Sequence, residues 1–321
     1  MAKIVECIPN YSEGKDLAKI ERIVAPYKNN PKVKLLGVEP DANYNRTVVT
    51  VLGDPEEVKK AVIESIGIAT KEIDMNVHKG EHKRMGATDV VPFLPIQEMT
   101  TEECNEISKE VAKAVWEQFQ LPVFLYESTA TAPNRVSLPD IRKGEYEGMA
   151  EKLKQPEWAP DFGERAPHPT AGVTAIGCRM PLIAFNINLA TTDMSIPKEI
   201  AKDIRFSSGG FRFIQAGPAE ILDKGFVQVT MNIKDYTKNP IYRIMETVKM
   251  EAKRWGVKVT GCEIIGATPF ASLTDSLKYY LACDGIKDDV DAMSMDKVVE
   301  LMVKYLGLTD FDVKKVLEAN I

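Results

Sequence analysis

The stretch LIAFNINLATTDMSIPKEIAKDIRF, residues 182–206, decides the fold of the C-terminal half of the chain. Its first part is a run of apolar residues broken only by Asn186 and Asn188, which is typical of a buried strand. Pro197 then opens a short helix over 197–205, with isoleucines at helical spacing on one side. The stretch therefore predicts one strand followed by one helix.

The residues that follow extend this order. We predict strands over 212–215, 226–233 and 257–265. A helix opens at Asn239-Pro240 before the last strand, carries apolar residues at helical spacing and closes at Gly256. The half thus reads βαββαβ, which is the ferredoxin-like arrangement.

The N-terminal half predicts a similar order. Its strands and helices are recognised by β-branched runs, helical periodicity and capping residues such as Asp54-Pro55 and the pair Thr100 and Glu103. The predicted strands are 3–8, 33–38, 47–52, 90–95 and 123–126. One helix is predicted over 12–27. A second starts at Asp54-Pro55 and keeps one face small or apolar from Val58 to Ile73, and a third starts at Thr100, carries apolar residues from Cys104 to Val115 and ends at Pro122. We predict an α+β protein with two ferredoxin-like α/β subdomains, packed β-sheets and outer helices.

The domain boundary is expected near residues 178–181, after a proline-rich and charged stretch over 155–169. This gives an N-terminal subdomain over 1–179 and a C-terminal subdomain over 180–321. We expect the tail from Asp288 onward to form two helices that complete the second subdomain.

Composition narrows the functional class. The net charge of −6 and pI of about 5.4 argue against a nucleic-acid partner. The five cysteines are an odd number with no CxxC pair, which favours free thiols in a reducing compartment and disfavours a structural metal. The longest apolar run, 180–190, is too short to span a bilayer, and Glu6 interrupts any leader-like run. We therefore expect a cytoplasmic protein without membrane association.

The segment HKGEHKRMGATD, residues 78–89, is the leading candidate for chemistry. It carries His78 and His82, two of only three histidines, beside lysine, arginine and two glycines. Imidazole is suited to proton transfer near neutral pH, and the neighbouring cations would attract an anionic substrate. The residues alone leave a solvated structural loop open. They also leave open metal binding by the His-x-x-x-His spacing, although Gly80 disfavours the helix that such a site needs.

Other polar stretches carry weaker signals. His168 lies between two prolines, as in a linker or a site, and the glycine loop over 205–212 would suit a flat aromatic ligand or a mobile connection. Glu39 and Asp41 follow the second strand, and Asn45-Arg46 opens the third. This arrangement would orient a substrate amine, and it is equally typical of an ordinary turn. No GxGxxG, GxxxxGK[ST] or GxSxG pattern is present.

Taken as a set, several strings resemble the formiminotransferase domain of formiminotransferase-cyclodeaminases. They occur in the family's order over nearly the whole chain. The strings are VECIPNYSEG (5–14), NRTV (45–48), GEHKRMGA (80–87), WAPDFG (158–163) and LIAFNINL (182–189).

The resemblance implies two α/β subdomains with a folate-binding cleft between them, a homodimer, and His82 as the catalytic histidine. It implies tetrahydrofolate as co-substrate, without a metal. It also implies folate contacts in two stretches. These contacts are Gly163, Glu164, Arg165, Ala166, Pro167, His168, Pro169, Thr170, Ala171 and Gly172, and Gly209, Gly210, Phe211, Arg212, Phe213, Ile214, Gln215, Ala216, Gly217 and Pro218.

Two positions depart from the family's pattern. Glu39 stands where the family has an aspartate near the active site, and Arg212 lacks the adjacent lysines of animal members. No cyclodeaminase region is seen in the sequence, so we expect a separate cyclodeaminase in the pathway.

The expected reaction is transfer of the formimino group of N-formimino-L-glutamate to N5 of tetrahydrofolate, with Arg46 and other cations pairing with the glutamate carboxylates. Transfer from formylglutamate or formiminoglycine on the same fold, and a non-catalytic ligand-binding module, remain alternatives.

Overall fold

A computed structural model describes residues 2–221 and 225–320. Its contacts divide the chain into two compact units, with the division between Arg179 and Met180. Each unit is an α+β body with its own sheet, and the predicted fold class is confirmed.

The first unit is built on a seven-stranded sheet. Strands β1 and β2 both lie between β4 and β5, β3 pairs with the outer edge of β4, and β7 and β6 extend the sheet beyond β5 in parallel. The strands are β1 (Ile4–Cys7), β2 (Asn10–Tyr11), β3 (Val33–Asp41), β4 (Arg46–Gly53), β5 (Thr88–Gln97), β6 (Val123–Leu125) and β7 (Thr174–Cys178). The helices are α1 (Leu17–Lys28), α2 (Pro55–Glu72), α3 (Thr101–Phe119), α4 (Leu138–Arg142) and α5 (Glu145–Lys154).

Local capping explains where the first helices begin. The Asp54 side chain accepts from the N–H groups of Glu56 and Glu57, and Pro55 occupies the first turn, as predicted. Thr100 and Glu103 form the predicted capping box. The predicted start of α1 at residue 12 is wrong, because Asp16 is the N-cap and the preceding residues continue from β2.

The second unit has a four-stranded antiparallel sheet in the order β11-β8-β10-β9. This order, with one helix after the first strand and one after the third, is the predicted ferredoxin-like arrangement. The strands are β8 (Ile183–Leu189), β9 (Ile214–Ile221), β10 (Phe226–Ile233) and β11 (Val259–Ile265), and the helices are α6 (Ser195–Ile204), α7 (Ile241–Arg254), α8 (Phe270–Cys283) and α9 (Met295–Leu306).

Two predictions for the second unit need correction. The strand expected over 212–215 begins only at Ile214, because the Phe211 N–H bonds the Ile204 carbonyl at 2.9 Å and holds a tight turn after α6. The tail forms one α-helix and short 3₁₀ turns. Gly307, at φ +69°, ends α9, and the chain then runs beside β11 through the Cys262–Leu308 bridge.

Each unit has its own hydrophobic core. In the second unit Phe185 and Ile187 of β8 pack with Ile200 of α6 and Val248 of α7. The first unit has one core beneath α1, α2 and α3. A smaller core lies under α5, where Met85, Phe124, Met149 and Val173 meet. Met85 lies within the histidine segment, three residues after His82, so this smaller core anchors the candidate loop.

Candidate active site

The loop between α2 and β5 carries His78 and His82, and backbone hydrogen bonds fix it along its length. The Glu81 N–H donates to the Asn43 carbonyl at 3.2 Å, and the Ala87 N–H donates to the Ala171 carbonyl at 2.9 Å. The two histidines therefore lie on a held loop and not on a helix, which removes the one-face geometry that the His-x-x-x-His spacing would need.

His78 is buried and fully engaged. Its Nε2 lies 2.9 Å from the Asn45 carbonyl, and its Nδ1 accepts from Arg84 Nε at 3.3 Å. These partners require Nε2 to carry the proton, so the ring is held in one neutral tautomer. Burial, with Arg84 as a second cause, lowers the pKa of His78. This histidine holds the loop in place.

Asn45 connects the β3–β4 turn to the same loop. It adopts φ +49°, which asparagine tolerates better than most residues. Its side chain accepts from the Gly14 N–H at 2.9 Å and donates to the Lys79 carbonyl at 2.8 Å. Arg46 follows directly in β4, so the position of its side chain is tied to the His82 loop.

Arg84 was expected among the cations that attract substrate, but its charge is already matched. It is buried, donates to both carboxylate oxygens of Glu147 at 2.7 and 2.9 Å, and reaches Glu145 at 3.1 Å. The two-oxygen contact is the strong geometry for an arginine–carboxylate pair. Arg84 therefore joins the loop to α5, and the exposed Lys79 and Lys83 are the remaining cations of the segment.

His82 differs from His78 in its exposure and in its hydrogen bonds. Its ring is half-buried and makes an edge contact with the Tyr44 ring at 6.4 Å between centroids. Within residues 2–221 and 225–320, neither ring nitrogen has a hydrogen-bond partner. Burial, followed by the charges of Arg46 and Arg142, lowers the pKa of His82 to about 4. The imidazole is therefore neutral at pH 7 and available as a proton acceptor.

Two arginines and one aspartate complete the surroundings of His82. Arg142, at the end of α4, donates from Nη2 to Asp89 Oδ2 at 2.5 Å. The buried Asp89 uses its other oxygen to accept from the Met85 N–H at 2.9 Å, so it bridges the loop and α4. The Arg46 guanidinium lies over the Tyr44 ring at 5.6 Å. The site thus combines a neutral imidazole with two nearby cations.

The predicted stretch 163–172 ends beside the His82 loop. Gly172 forms a bridge with Gly86, and the Val173 N–H donates to the Met85 carbonyl at 3.1 Å. His168 closes a tight turn, since its Nδ1 accepts from the Ala171 N–H at 3.0 Å. The structure therefore brings residues 171–173 next to residues 85–87.

The predicted stretch 209–218 belongs to the second unit. Gly209 and Gly210 make the turn after α6, and an added Cβ at Gly210 would lie 2.4 Å from the Ile204 carbonyl carbon. From Ile214 onward the stretch is strand β9, which runs to Ile221 and so extends beyond the strand predicted over 212–215. Three of its residues, Gln215 to Gly217, line a hollow of about 310 Å³ with Asn186, Thr230 and Asn232.

Glu39 and Asp41 lie within β3 and not after the second strand as predicted. Glu39 is exposed and stands opposite Val48 of β4. Asp41 accepts from the N–H groups of Asn43 and Tyr44, both at 2.9 Å, and so organises the turn that leads to Arg46.

Three residues near His82 were missed as site residues. Arg142 and Tyr44 carry no local sequence signal, since both stand among ordinary polar residues. Asp89 ends the quoted histidine segment, and its position directly before a run of strand residues was the available signal for a buried acid.

Among residues 2–221 and 225–320, no group of three or more histidine, cysteine, aspartate or glutamate side chains is arranged to hold a metal ion. The helices in these same ranges include none with the length and apolar character required to cross a bilayer. All five cysteines are free, and Cys283 is the exposed one.

Comparison with known proteins gives consistent matches. The model of the formiminotransferase domain's N-terminal subdomain matches residues 4–179, and that of the formiminotransferase domain matches residues 184–319. A glutamate formimidoyltransferase of Streptococcus pyogenes serotype M1 is 50% identical over 281 residues, covering 88% of this chain and 94% of the relative.

Two further relatives extend the comparison. A glutamate formimidoyltransferase of Thermoplasma acidophilum is 41% identical, covering 89% of this chain and 94% of the relative. A formimidoyltransferase-cyclodeaminase of Mus musculus is 37% identical, covering 96% of this chain and 57% of the relative.

Proposed function

Since the chain belongs to the formiminotransferase family, we propose that it is a glutamate formimidoyltransferase, which moves the formimino group of N-formimino-L-glutamate to N5 of tetrahydrofolate. The glutamate donor is supported by the 50% identity to a relative of that name. Tetrahydrofolate is the co-substrate of this reaction. The product carries one-carbon units from histidine degradation into folate metabolism.

His82 is the proposed proton carrier, and the availability of its two ring nitrogens is the observation that carries this assignment. His78 is held in a single tautomer by two partners, and the Nδ1 of His168 is used within its own turn. His82 therefore retains the freedom to accept a proton and release it, which a shuttle requires.

The reaction then proceeds through an addition and an elimination. N5 of tetrahydrofolate attacks the formimino carbon, so that a new C–N bond forms, the C=N π bond opens and a tetrahedral adduct results. His82 takes the proton that N5 loses and returns it to the glutamate nitrogen as the bond between that nitrogen and the carbon breaks and the C=N bond re-forms. Proton transfer of this kind contributes typically about 10²–10⁴-fold to rate. Holding both reactants in position supplies a further large term.

The two folate stretches, 163–172 and 209–218, are proposed to contact the folate. The first is supported by the bonds that join residues 171–173 to the His82 loop. The second is supported by the hollow along β9, lined by small and amide-bearing residues that suit a flat heterocycle. Glu39 is proposed to support the active site only because it stands where the family has an aspartate near that site.

We assign residues 1–179 and 180–321 as the N- and C-terminal subdomains of the formiminotransferase domain. We also propose that the protein acts as a homodimer in the cytoplasm and that a separate cyclodeaminase consumes its product. Two relatives that carry the glutamate formimidoyltransferase name are matched over 94% of their length, which supports the transferase activity.

The test is to incubate the protein with tetrahydrofolate and N-formimino-L-glutamate, N-formiminoglycine or N-formyl-L-glutamate, and to follow the folate product by absorbance. We expect 5-formiminotetrahydrofolate with the glutamate donor. His82→Ala is expected to reduce kcat by at least about 100-fold, because the proton carrier is lost.

Glu81→Ala is the matched control, since Glu81 is the exposed neighbour of His82 and its backbone bond to Asn43 is retained. It is expected to keep wild-type turnover. Absence of a folate product with the wild-type protein would refute the proposed function. Unchanged turnover in His82→Ala would refute only the role of His82.

A further inference from the structure

Arg46 is a guanidinium without an acceptor. Its side chain is half-buried, and its Nε is buried without a hydrogen-bond partner. Within the described residues no carboxylate lies within ion-pair distance of it, and its one recorded contact is the Tyr44 ring at 5.6 Å. A buried donor without an acceptor is costly, so its retention points to an acceptor supplied by a ligand.

Arg142 is only partly satisfied. Its Nη2 donates to Asp89, but its Nε is also buried without a partner. Only 16% of its side chain is exposed, so water reaches it poorly. The planar guanidinium offers several N–H donors in a fixed fork, and most of those on Arg142 remain available for a second carboxylate.

Arg135 provides a useful contrast, because its Nε is equally unpartnered. Its other nitrogens are occupied by Asp161 at 2.7 Å, by the Ala159 carbonyl at 2.5 Å and by Thr131 at 3.2 Å, and its guanidinium lies over the Phe124 ring. Arg135 therefore has the contacts of a structural arginine. Arg46 shares the aromatic contact but has none of the carboxylate, carbonyl or hydroxyl acceptors within the described residues.

Both Arg46 and Arg142 belong to the surroundings of His82. Tyr44 contacts both the His82 ring and the Arg46 guanidinium. Asp89 joins Arg142 to Met85, three residues after His82. The two guanidinium groups also act together on the imidazole, whose pKa they lower.

We propose that Arg46 and Arg142 bind the two carboxylates of the amino-acid donor, and that Asp89 is the positioning residue that directs Arg142. This inference rests on the proposed function and names the part of the site that recognises a dicarboxylate. Guanidinium–carboxylate pairs of this kind are planar and directional, so they fix orientation as well as affinity.

The arrangement also links donor binding to proton transfer. The cations acting on His82 are Arg46, Arg142 and Arg84, with His78 nearby. Arg84 is already paired with Glu147 and Glu145, and Arg142 with Asp89, so Arg46 is the cation without an ion-pair partner among the described residues. A bound dicarboxylate adds negative charge beside Arg46 and Arg142. The pKa of His82 then rises, and the ring becomes a better acceptor for the N5 proton.

The test compares Arg46→Gln and Arg142→Lys with Arg22→Gln, a control at a surface ion pair with Glu72. With N-formimino-L-glutamate, both site variants are expected to lower kcat/KM by at least about 30-fold, mainly through the KM of the donor. The KM of tetrahydrofolate is expected to stay at its wild-type value. With N-formiminoglycine, which lacks the side-chain carboxylate, one of the two variants is expected to lose its effect.

Calorimetric titration with N-formyl-L-glutamate supplies a readout that does not need turnover. The wild type and Arg22→Gln are expected to bind it, and both site variants to bind at least about 30-fold more weakly. Wild-type binding without any folate product would refute the proposed function and leave the arginine site standing. Unchanged donor KM and unchanged titration in Arg46→Gln, which breaks no ion pair, would overturn the arginine site.

Discussion

The strands β3-β4-β1-β5 of the first unit have the same ferredoxin-like order as β9-β10-β8-β11 of the second, but the two units bury different polar groups. The first unit buries charge, in the pair Asp89–Arg142 and in Arg84 with its two glutamates. The second unit buries amides on one face of its sheet, where Gln228 donates to Asn188 at 2.7 Å and to Glu263 at 3.0 Å. The same topology thus supports two kinds of polar interior, and the chemistry follows the side chains and not the fold.

The contrast between buried charge in the first unit and buried amides in the second predicts that the largest loss of stability follows replacement of Asp89. Asp89→Ala is expected to lower the free energy of unfolding by about 3–5 kcal/mol, because Arg142 keeps a buried charge without its partner. Hydrogen exchange monitored by mass spectrometry is expected to show faster exchange over residues 84–95 and wild-type exchange in β8 and β10. Glu64→Ala, an exposed carboxylate of α2, is the control and is expected to change stability by no more than about 0.5 kcal/mol. A loss that small at Asp89 would contradict the importance of buried charge in the first unit.

The amide network of the second unit is expected to matter less. Gln228→Ala removes a donor that serves two acceptors, at a cost of about 1–3 kcal/mol. Urea unfolding together with hydrogen exchange in β8 and β10 measures it. Gln118→Ala at an exposed site of α3 is the matched control. If Gln228→Ala proved as damaging as Asp89→Ala, the contrast between the buried ion pair and the amide network would have no energetic meaning.

The smallest predicted effect is on the pH dependence of stability. It distinguishes the two units because all three histidines lie in the first one. Proton NMR titration of the free protein is expected to give His82 a midpoint of about 4, and Arg46→Gln is expected to move it upward because a nearby cation is lost. A free histidine titrates near about 6.5. The folded state therefore binds less proton than the unfolded one, and the first unit loses stability as pH falls from about 6.5 towards 4.

Elements with strong local signals were predictable from sequence. Asp54-Pro55 and the Thr100–Glu103 box fixed helix starts because capping depends on residues within one turn. Helix α8 was missed for a physical reason. Its buried face includes Ser272, Thr274 and Ser276, so the apolar periodicity is blurred, and its N-cap residue Pro269 makes no side-chain cap.

The candidate site also contains some residues that were predictable from sequence and others that were not. The histidine segment stood out because its unusual residues are neighbours in sequence. Arg142 did not, because only the folded chain brings α4 to Asp89, 53 residues away. The sequence also did not predict that His78 is hydrogen-bonded and His82 is not. The reason is that the partners of His78 include the carbonyl of Asn45, which lies in the β3–β4 turn.

The two glycines of the His82 loop, Gly80 and Gly86, lie close against neighbouring backbone. An added Cβ at Gly80 would lie 2.3 Å from the Tyr44 carbonyl oxygen, and one at Gly86 would lie 2.0 Å from that of Val173. The loop is therefore seated against neighbouring backbone at both ends. Its backbone entropy is lost when the protein folds and not when substrate arrives, which leaves more of the binding free energy for affinity. Replacement of either glycine is expected to weaken substrate binding without touching a reacting atom.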